Sequence, residues 1–322
     1  MIAAAFGYAV ELASQWQGAT APNPPVACVL LDASGETLAA AAHQRAGGPH
    51  AEALAVSQCR ANDTVHRIHT VVVTLEPCNH TGRTPACTGV ILQTPARHIW
   101  IGARDPNPLV AGGGGNYLAH AGRSGHALAD LDDPAAPKLA EAVTRLIAPF
   151  AKHVTTGKPW VTVKHALDRD GSMIPPAGQK TFTSDASLDL AHQLRKRADA
   201  VITGSGTILA DAPQFTVRRL PDFPGKRRHL VILDRRGRVP PSYVEAAQAR
   251  GFLVSIEADL ATALTELGQA GCLEVLVEAG AELTQSILTS PLWDEHVLIR
   301  QHPDPTADDR VTVRYRTNSE PH

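Results

Sequence analysis

Rings are scarce in this sequence. Phe, Trp and Tyr together make up 4% of 322 residues, and Met occurs twice. The core must therefore be built from Ala, Val, Leu and Ile. Long apolar runs are missing as well. No stretch of about 18 uncharged apolar residues occurs, which excludes a membrane-spanning helix. Excess charge is absent: Lys and Arg total 30, Asp and Glu total 32, and the formal net charge is −2. A chain that coats nucleic acid or an anionic membrane needs clustered positive charge, so neither partner is expected. The N-terminus MIAAAFGYAVELASQ has no basic region before its apolar residues and carries Glu11 early. It reads as a helix of a soluble protein and not as a signal peptide. The five cysteines, Cys28, Cys59, Cys78, Cys87 and Cys272, are odd in number and lie in a large chain without an export signal. A disulfide framework is not expected on that ground, and reduced thiols in a cytoplasm are.

What is there is length for about two domains. The first half alternates short apolar runs with helical spacing. Val26–Leu31, Thr70–Leu75 and His98–Gly102 read as buried strands. His50–Cys59 and Gly89–Gln93 read as helices, and Lys138–Phe150 returns to helical periodicity. Apolar strands separated by helices predict a layered α/β sheet. Ala111–Gly115 (AGGGG) reads as a flexible loop, and Val154–Pro159 (VTTGKP) as the boundary between domains. The alternation then restarts. Trp160–Lys164, Ala200–Thr203, Leu230–Leu233, Phe252–Ser255 and Glu274–Val277 are strand candidates; Leu188–Arg197 and Ala261–Ala270 are helix candidates.

Three segments of the first half carry chemistry: TAPNPPVAC (20–28), GGPHAEAL (47–54) and LEPCNHTGRTPAC (75–87). His50, Cys78 and Cys87 make one imidazole and two thiolates, a zinc set with an open fourth position. A water there loses its proton near neutral pH. It still needs a carboxylate to move protons, and Glu52, at the same helix end as His50, is the candidate. H-x-E followed by P-C and a second Cys is the zinc-deaminase signature. Taken singly, each residue is better read as a buried thiol, a helix histidine or a surface glutamate; together they are not. Cys28, Cys59 and Cys272 read as small core residues. Eight residues separate the two thiols, and this loop offers Arg83 as a candidate phosphate ligand. For His43, a solvated loop position and a substrate contact are both open.

On these residues the first half resembles the deaminase domain of the bifunctional riboflavin-biosynthesis enzymes of the RibD family. The matching segments are Thr20–Ala27, His43 with His50–Glu52, Thr74–Cys87 and Asp105–Gly114. The resemblance implies a cytidine-deaminase-like three-layer α/β domain over residues 1–153. It implies Zn²⁺ on His50, Cys78 and Cys87, Glu52 as the catalytic group, and Asn23, His43, Arg83, Asp105 and Asn107 around an aminopyrimidine ribose phosphate. Leu54 stands where the family has a polar residue, and Gly113 where it commonly has a basic one, so a lost substrate hydrogen bond at Leu54 is expected.

In the second half, a strand runs into Gly204-Ser205-Gly206-Thr207, and another into Glu278-Ala279-Gly280. Such turns let a backbone approach a phosphate, and ligands of these sheets bind at the carboxyl ends of strands. For Asp211 and Glu278, helix capping or loop solvation stands even with a ligand contact. Lys164–Gly171, Leu194–Arg218 and Glu278–Gly280 resemble the reductase domain of the same family. That implies a dihydrofolate-reductase-like α/β domain over 158–322, short at its C-terminus, with Val311–Arg316 left to supply a last strand. The cofactor implied is NADPH, facing Ala166, Gly204, Gly206, Thr207, Glu278 and Gly280. The sugar phosphate would be handled by Lys164, Thr183, Arg195, Asp211 and Arg218. Asp168, Arg169, Gln179, Thr181, Leu188 and Ala212 depart from the family pattern, and on that ground reduction is expected to be the weaker activity.

The expected protein is thus a cytoplasmic zinc-dependent deaminase joined to an NADPH-dependent reductase, a homo-oligomer acting on a small molecule. The alternative is a relative in which only the deaminase turns over, or which takes another aminopyrimidine, with the second domain a binding or assembly module.

Overall fold

The structure is a computed structural model, and it describes residues 1–79, 86–107, 113–176, 178–179, 181–304 and 306–316. These fall into two compact units, Met1–Thr156 and Gly157–His322. None of the helices described is long and apolar enough to cross a membrane.

The first unit runs α1 (Ile2–Ser14), β1 (Ala27–Leu31), β2 (Thr37–Ala42), α2 (Ala51–Ala61), β3 (Thr70–Leu75), α3 (Cys87–Leu92), β4 (His98–Ala103), α4 (Gly113–His120), β5 (Ser124–Ala127) and α5 (Ala136–Thr156). Its sheet has the order β2-β1-β3-β4-β5. Strand β1 is antiparallel to both neighbours, whereas β3, β4 and β5 are parallel. Strand residues alternate between two faces. Cys28, Leu30, Val71 and Val73 join Ala51, Ala55 and Ile91 in one core, under α2 and α3. Val29, Leu31 and Val72 join Phe6, Ala9, Val143 and Leu146 in another, under α1 and α5. Helices on both faces of the sheet make three layers, and they explain why β1 and β3 read as continuous apolar runs.

Two local expectations are corrected. Gly113–Gly115, read as loop, form the first turn of α4. Val154–Thr156, read as linker, are the last turn of α5. Strand β2 was not legible because Thr37–Ala42 is almost all Ala, a poor strand former. Pairing decides it: the Asp32 carboxylate accepts the N–H groups of Ser34 (2.9 Å) and Glu36 (3.0 Å), turning the chain so that Ala42 lies opposite Ala27. Small side chains there let α2 lie on the sheet.

The second unit runs β6 (Trp160–Leu167), α6 (Asp185–Arg197), β7 (Ala200–Gly204), α7 (Ser205–Asp211), β8 (His229–Leu233), α8 (Pro241–Ala249), β9 (Leu253–Glu257), α9 (Leu260–Gln269), β10 (Glu274–Val277), α10 (Ala281–Leu288), β11 (Glu295–Arg300) and β12 (Arg310–Tyr315). The order is β12-β11-β6-β10-β7-β8-β9, parallel throughout except for β12 at the edge. Val161, Val163, Ile202, Val275 and Val277 pack on one face with Leu264 and Leu267 of α9. Val201, Leu230 and Ile232 pack on the other with Tyr243 and Ala247 of α8. Because β7, β8 and β10 are parallel neighbours or nearly so, their carboxyl ends open on one side of the sheet.

Candidate active sites

In the first unit, three elements converge at the carboxyl end of β3. His50 is the N-cap of α2, and Glu52 sits in that helix's first turn. Cys78 follows β3 through Pro77, and Cys87 opens α3, where its N–H donates to Cys78 Sγ at 3.4 Å. The donor atoms of His50, Cys78 and Cys87 all lie within 4.8 Å of one another. His50 Nδ1 is 3.2 Å from Cys87 Sγ and 3.6 Å from Cys78 Sγ. Tetrahedral zinc with ordinary bond lengths sets such separations at ~3.5–3.8 Å, so the donor set and its spacing fit the ion. The Cys87 thiol and then His50 donate toward Cys78 and hold its thiol low, at about 4. The same bond, with burial, pushes Cys87 up.

Glu52 is buried, and burial pushes its carboxyl above the usual range. Its Oε2 lies 3.2 Å from Cys87 Sγ, so the carboxylate faces the metal position. His43 is buried too, which removes the solvated-loop reading. Its Nδ1–H donates to Pro49 O at 2.9 Å, leaving Nε2 to accept from Asn23 Nδ2 at 3.3 Å. That pair of bonds sets the tautomer. Burial pushes its pKa down, keeping the ring neutral.

A cavity of about 600 Å³ brings together Asn23, His43, His50, Glu52, Cys78, Asp105 and Asn107, with Glu76 and Phe150 also on its wall. Arg83 lies outside the described residues. The hydrogen bond expected to be lost at Leu54 is not a loss to this cavity: Leu54 packs against the apolar core beneath α2. Glu76 and Phe150 are among the wall residues not assigned from sequence. Glu76 stands in the L-E-P-C run, where its neighbours drew the chemistry. Phe150 comes from distant α5 and carries no local signal.

In the second unit, a cavity of about 570 Å³ lies at the carboxyl ends of β7, β8 and β10. Gly204, Gly206, Thr207 and Gly280 line it, whereas Ala166 and Glu278 do not. Gly280 N–H donates to Thr207 Oγ1 at 3.0 Å, tying the two turns together. Open space surrounds the position where a Cβ on Gly206 would stand, which leaves room for a phosphate against the backbone. On the rim are Arg235, Arg236 and Arg238, which follow β8. Their turn is held by buried Asp234, which accepts Val239 N–H at 2.8 Å, and by Arg238, which donates to Ser205 Oγ at 3.0 Å. Two glycine turns and three guanidinium groups suit a dinucleotide with an extra phosphate, so the site fits NADPH. The R-R-G-R run after a buried strand was the available signal for these arginines, and it was not read.

The residues expected at the sugar phosphate are placed less uniformly. Arg195 and Glu278 hold each other through two bonds of 2.7 Å. Burial alone would raise Glu278, but Arg195 and Lys164 keep it below the usual range. This ion pair settles the alternatives for Glu278: it neither caps a helix nor sits in solvent. Arg218 is exposed and donates to Gln214 Oε1 (2.9 Å) and Thr216 Oγ1 (3.0 Å). Thr183 Oγ1 pairs with Thr181 Oγ1 at 2.8 Å. Asp211 ends α7, exposed. Asp168 organises a turn, accepting the N–H groups of Asp170 (3.0 Å) and Ser172 (2.7 Å).

A zinc-type deaminase domain and a reductase domain of nucleotide-cofactor type, in one chain, are the class that these sites define. Residues 3–103 match the family model of the cytidine and deoxycytidylate deaminase zinc-binding region, and residues 159–301 match that of the RibD C-terminal domain. The riboflavin biosynthesis protein RibD of Corynebacterium ammoniagenes is 35% identical over 293 residues, covering 88% of this chain and 81% of its own length. That of Escherichia coli K12 is 30% identical over 90% of this chain and 84% of its own. Among solved structures, RibD of Acinetobacter baumannii superposes with a TM-score of 0.77 at 30% identity, covering 93% of this chain and 86% of that one. The Thermotoga maritima diaminohydroxyphosphoribosylaminopyrimidine deaminase/5-amino-6-(5-phosphoribosylamino)uracil reductase gives 0.78 at 28% identity, covering 95% and 88%. The chain belongs to the RibD family of riboflavin biosynthesis and carries both of its domains.

Proposed function

We propose that the first domain, residues 1–153, hydrolytically deaminates 2,5-diamino-6-(5-phosphoribosylamino)pyrimidin-4(3H)-one, and that the second, residues 158–322, reduces the ribosyl group of the product to ribityl with NADPH. The observation that carries the first half is the convergence of His50, Cys78 and Cys87 within 4.8 Å, with Glu52 Oε2 facing them inside one cavity. Bound zinc would supply a water acidic enough to be deprotonated near neutral pH. Glu52 Oε2 takes that proton and delivers it to the ring nitrogen beside the reacting carbon, then serves the departing amine. Water is consumed and ammonia leaves. Neutral His43, with Asn23, Asp105 and Asn107, orients the aminopyrimidine. The carboxylate of Asp105 and the amide of Asn107 suit donors and acceptors on its edge.

For the second half, bound NADPH would supply a hydride for C1 of the opened sugar. Gly204–Thr207 and Gly280 would hold its pyrophosphate, and Arg235 and Arg236 its 2′-phosphate. Lys164 and Arg218 bring positive charge to the substrate's own phosphate. Thr183 adds a hydroxyl to that contact, the Asp211 carboxylate suits the hydroxyls of the sugar, and the Arg195–Glu278 pair fixes the floor beneath. Self-association belongs to the same reading: Val311, Val313 and Tyr315 are exposed on edge strand β12. So does a cytoplasmic location, since a site made of two thiols needs a reducing compartment.

The test is direct. The purified chain is given the diaminopyrimidine with and without NADPH, and both products are identified chromatographically. The expected result is the deaminated ribosyl compound without cofactor and the ribityl compound with it. Absence of deamination by zinc-replete protein overturns the first half. Deamination without NADPH oxidation leaves the second domain as a binding module.

A further inference from the structure

We propose that Glu76 is a positioning residue of the deaminase, its carboxylate tying the substrate-facing turn Asp105–Asn107 to the strand end that carries Cys78. The inference rests on the reading of that turn as a substrate contact.

Glu76 follows β3 directly and precedes Cys78 by two residues. Its N–H donates to Ala103 O at 2.9 Å, extending the ladder between β3 and β4. Its side chain is 7% exposed. One carboxylate oxygen, Oε2, accepts Asp105 N–H at 3.3 Å, and the other, Oε1, accepts Gly115 N–H at 2.9 Å. Asp105 Oδ1 in turn accepts Asn107 N–H at 2.9 Å. A single buried carboxylate thus holds both ends of the segment that leaves β4 and enters α4. One carboxylate thus satisfies two backbone donors, one on each oxygen. Its charge also lies at the N-terminal end of α4, where negative charge is favoured. The approach is close: a Cβ on Gly114 would stand 1.8 Å from Pro77 O, so the Pro77 turn and the start of α4 touch with no room for a side chain. One side chain therefore links the strand end that leads to Cys78 with the substrate-facing turn.

The carboxylate acts on the backbone N–H groups of Asp105 and Gly115. Loosening it should misplace Asp105 and Asn107 while leaving the proton-transfer group where it is. Contacts made equally in ground and transition state act on KM and not on kcat.

Glu76→Gln keeps the shape but turns an N–H₂ toward a backbone N–H. With the full chain and the diaminopyrimidine, KM should rise about tenfold, the scale of one lost charged hydrogen bond, while kcat stays within about threefold. Zinc, measured by elemental analysis of the same sample, should stay near one per chain. Glu76→Asp keeps the charge but spans less, so its KM should fall between; it carries the test if the Gln variant does not fold. Wild-type KM, a fall in kcat at constant KM, or loss of zinc overturns the proposal. Asn107→Ala separates the two levels. If it raises KM and Glu76→Gln does not, the tie is wrong and the turn stands. If it leaves KM unchanged, the turn is no substrate contact, and the proposal falls with that reading.

Discussion

The two units bind by opposite means. In the first, the groups that face the cavity are buried or half-buried side chains fixed by hydrogen bonds: Asn23 to His43, His43 to the Pro49 carbonyl, Glu52 to Cys87, and Glu76 to the N–H of Asp105. In the second, the cavity is lined by backbone turns, and its positive charges are exposed arginines on the rim. A metal site needs donors placed to a few tenths of an ångström, whereas a cofactor phosphate tolerates several arrangements of N–H groups and guanidinium. Change should therefore be costly and local in the first unit, and graded in the second.

The largest effect expected is at Glu52. Glu52→Gln should lower deamination at least ~10²-fold, as for other general acid–base groups, with zinc retained and NADPH-dependent reduction of the deaminated compound unchanged. A rate within a few-fold of wild type would mean that the carboxylate only fills space. The comparison sharpens at the rim of the second cavity. Replacing Arg235 and Arg236 together by Ala should raise KM for NADPH about tenfold and leave KM for NADH nearly unchanged, because each phosphate–guanidinium contact there is solvated. Equal loss with both cofactors would show that the arginines hold the turn and not the phosphate.

The same difference explains what could be read from sequence. His50, Glu52, Cys78 and Cys87 are side-chain chemistry at short, unusual spacing, and the structure places all four together. Thr70–Leu75 and Glu274–Val277 were legible as strands because both faces are buried. The arginine rim was not, since exposed charges after a strand are common and carry no fixed spacing to the glycine turns. Glu76 was hidden by doing backbone work: its partners are N–H groups of Asp105 and Gly115, which have no sequence identity. Strand β2 was hidden because cross-strand pairing overrides the poor propensity of Ala.

Acidity should also act on the second unit. In the second, burial, followed by His296, Lys164 and Arg300, pushes His165 down to about 4. Burial lowers His192, His229 and His296 in the same direction. A histidine depressed in the folded state binds its proton more readily when unfolded. Stability is then complete above about pH 6.5 and is lost as pH falls toward 4. Calorimetric melting of the second unit should drop over that window, and His165→Gln should flatten the slope. An unchanged slope would show that carboxylates, not this histidine, set the acid limit.

The smallest effect bears on the departures that made reduction look weaker. Ala212 replaces an acidic or amide residue, which suggested a lost contact in the reductase site. Its backbone gives another reason for the family's choice: at the C-cap of α7 it has φ 40° and ψ 52°, the left-handed region. Asn and Asp tolerate that conformation better than Ala does, because their side chains bond locally to the backbone. Gly tolerates it too but gains freedom in the unfolded chain, which offsets part of the benefit. Ala212→Asn should therefore stabilise the second unit by about 0.5 kcal/mol and leave KM for both substrates within twofold. The melting temperature of the second unit and the steady-state reductase rate, measured side by side, decide it. A gain in reduction without a gain in stability would return this position to the active site. A gain in stability alone makes the departure a matter of backbone fit, in keeping with a unit that binds through its turns.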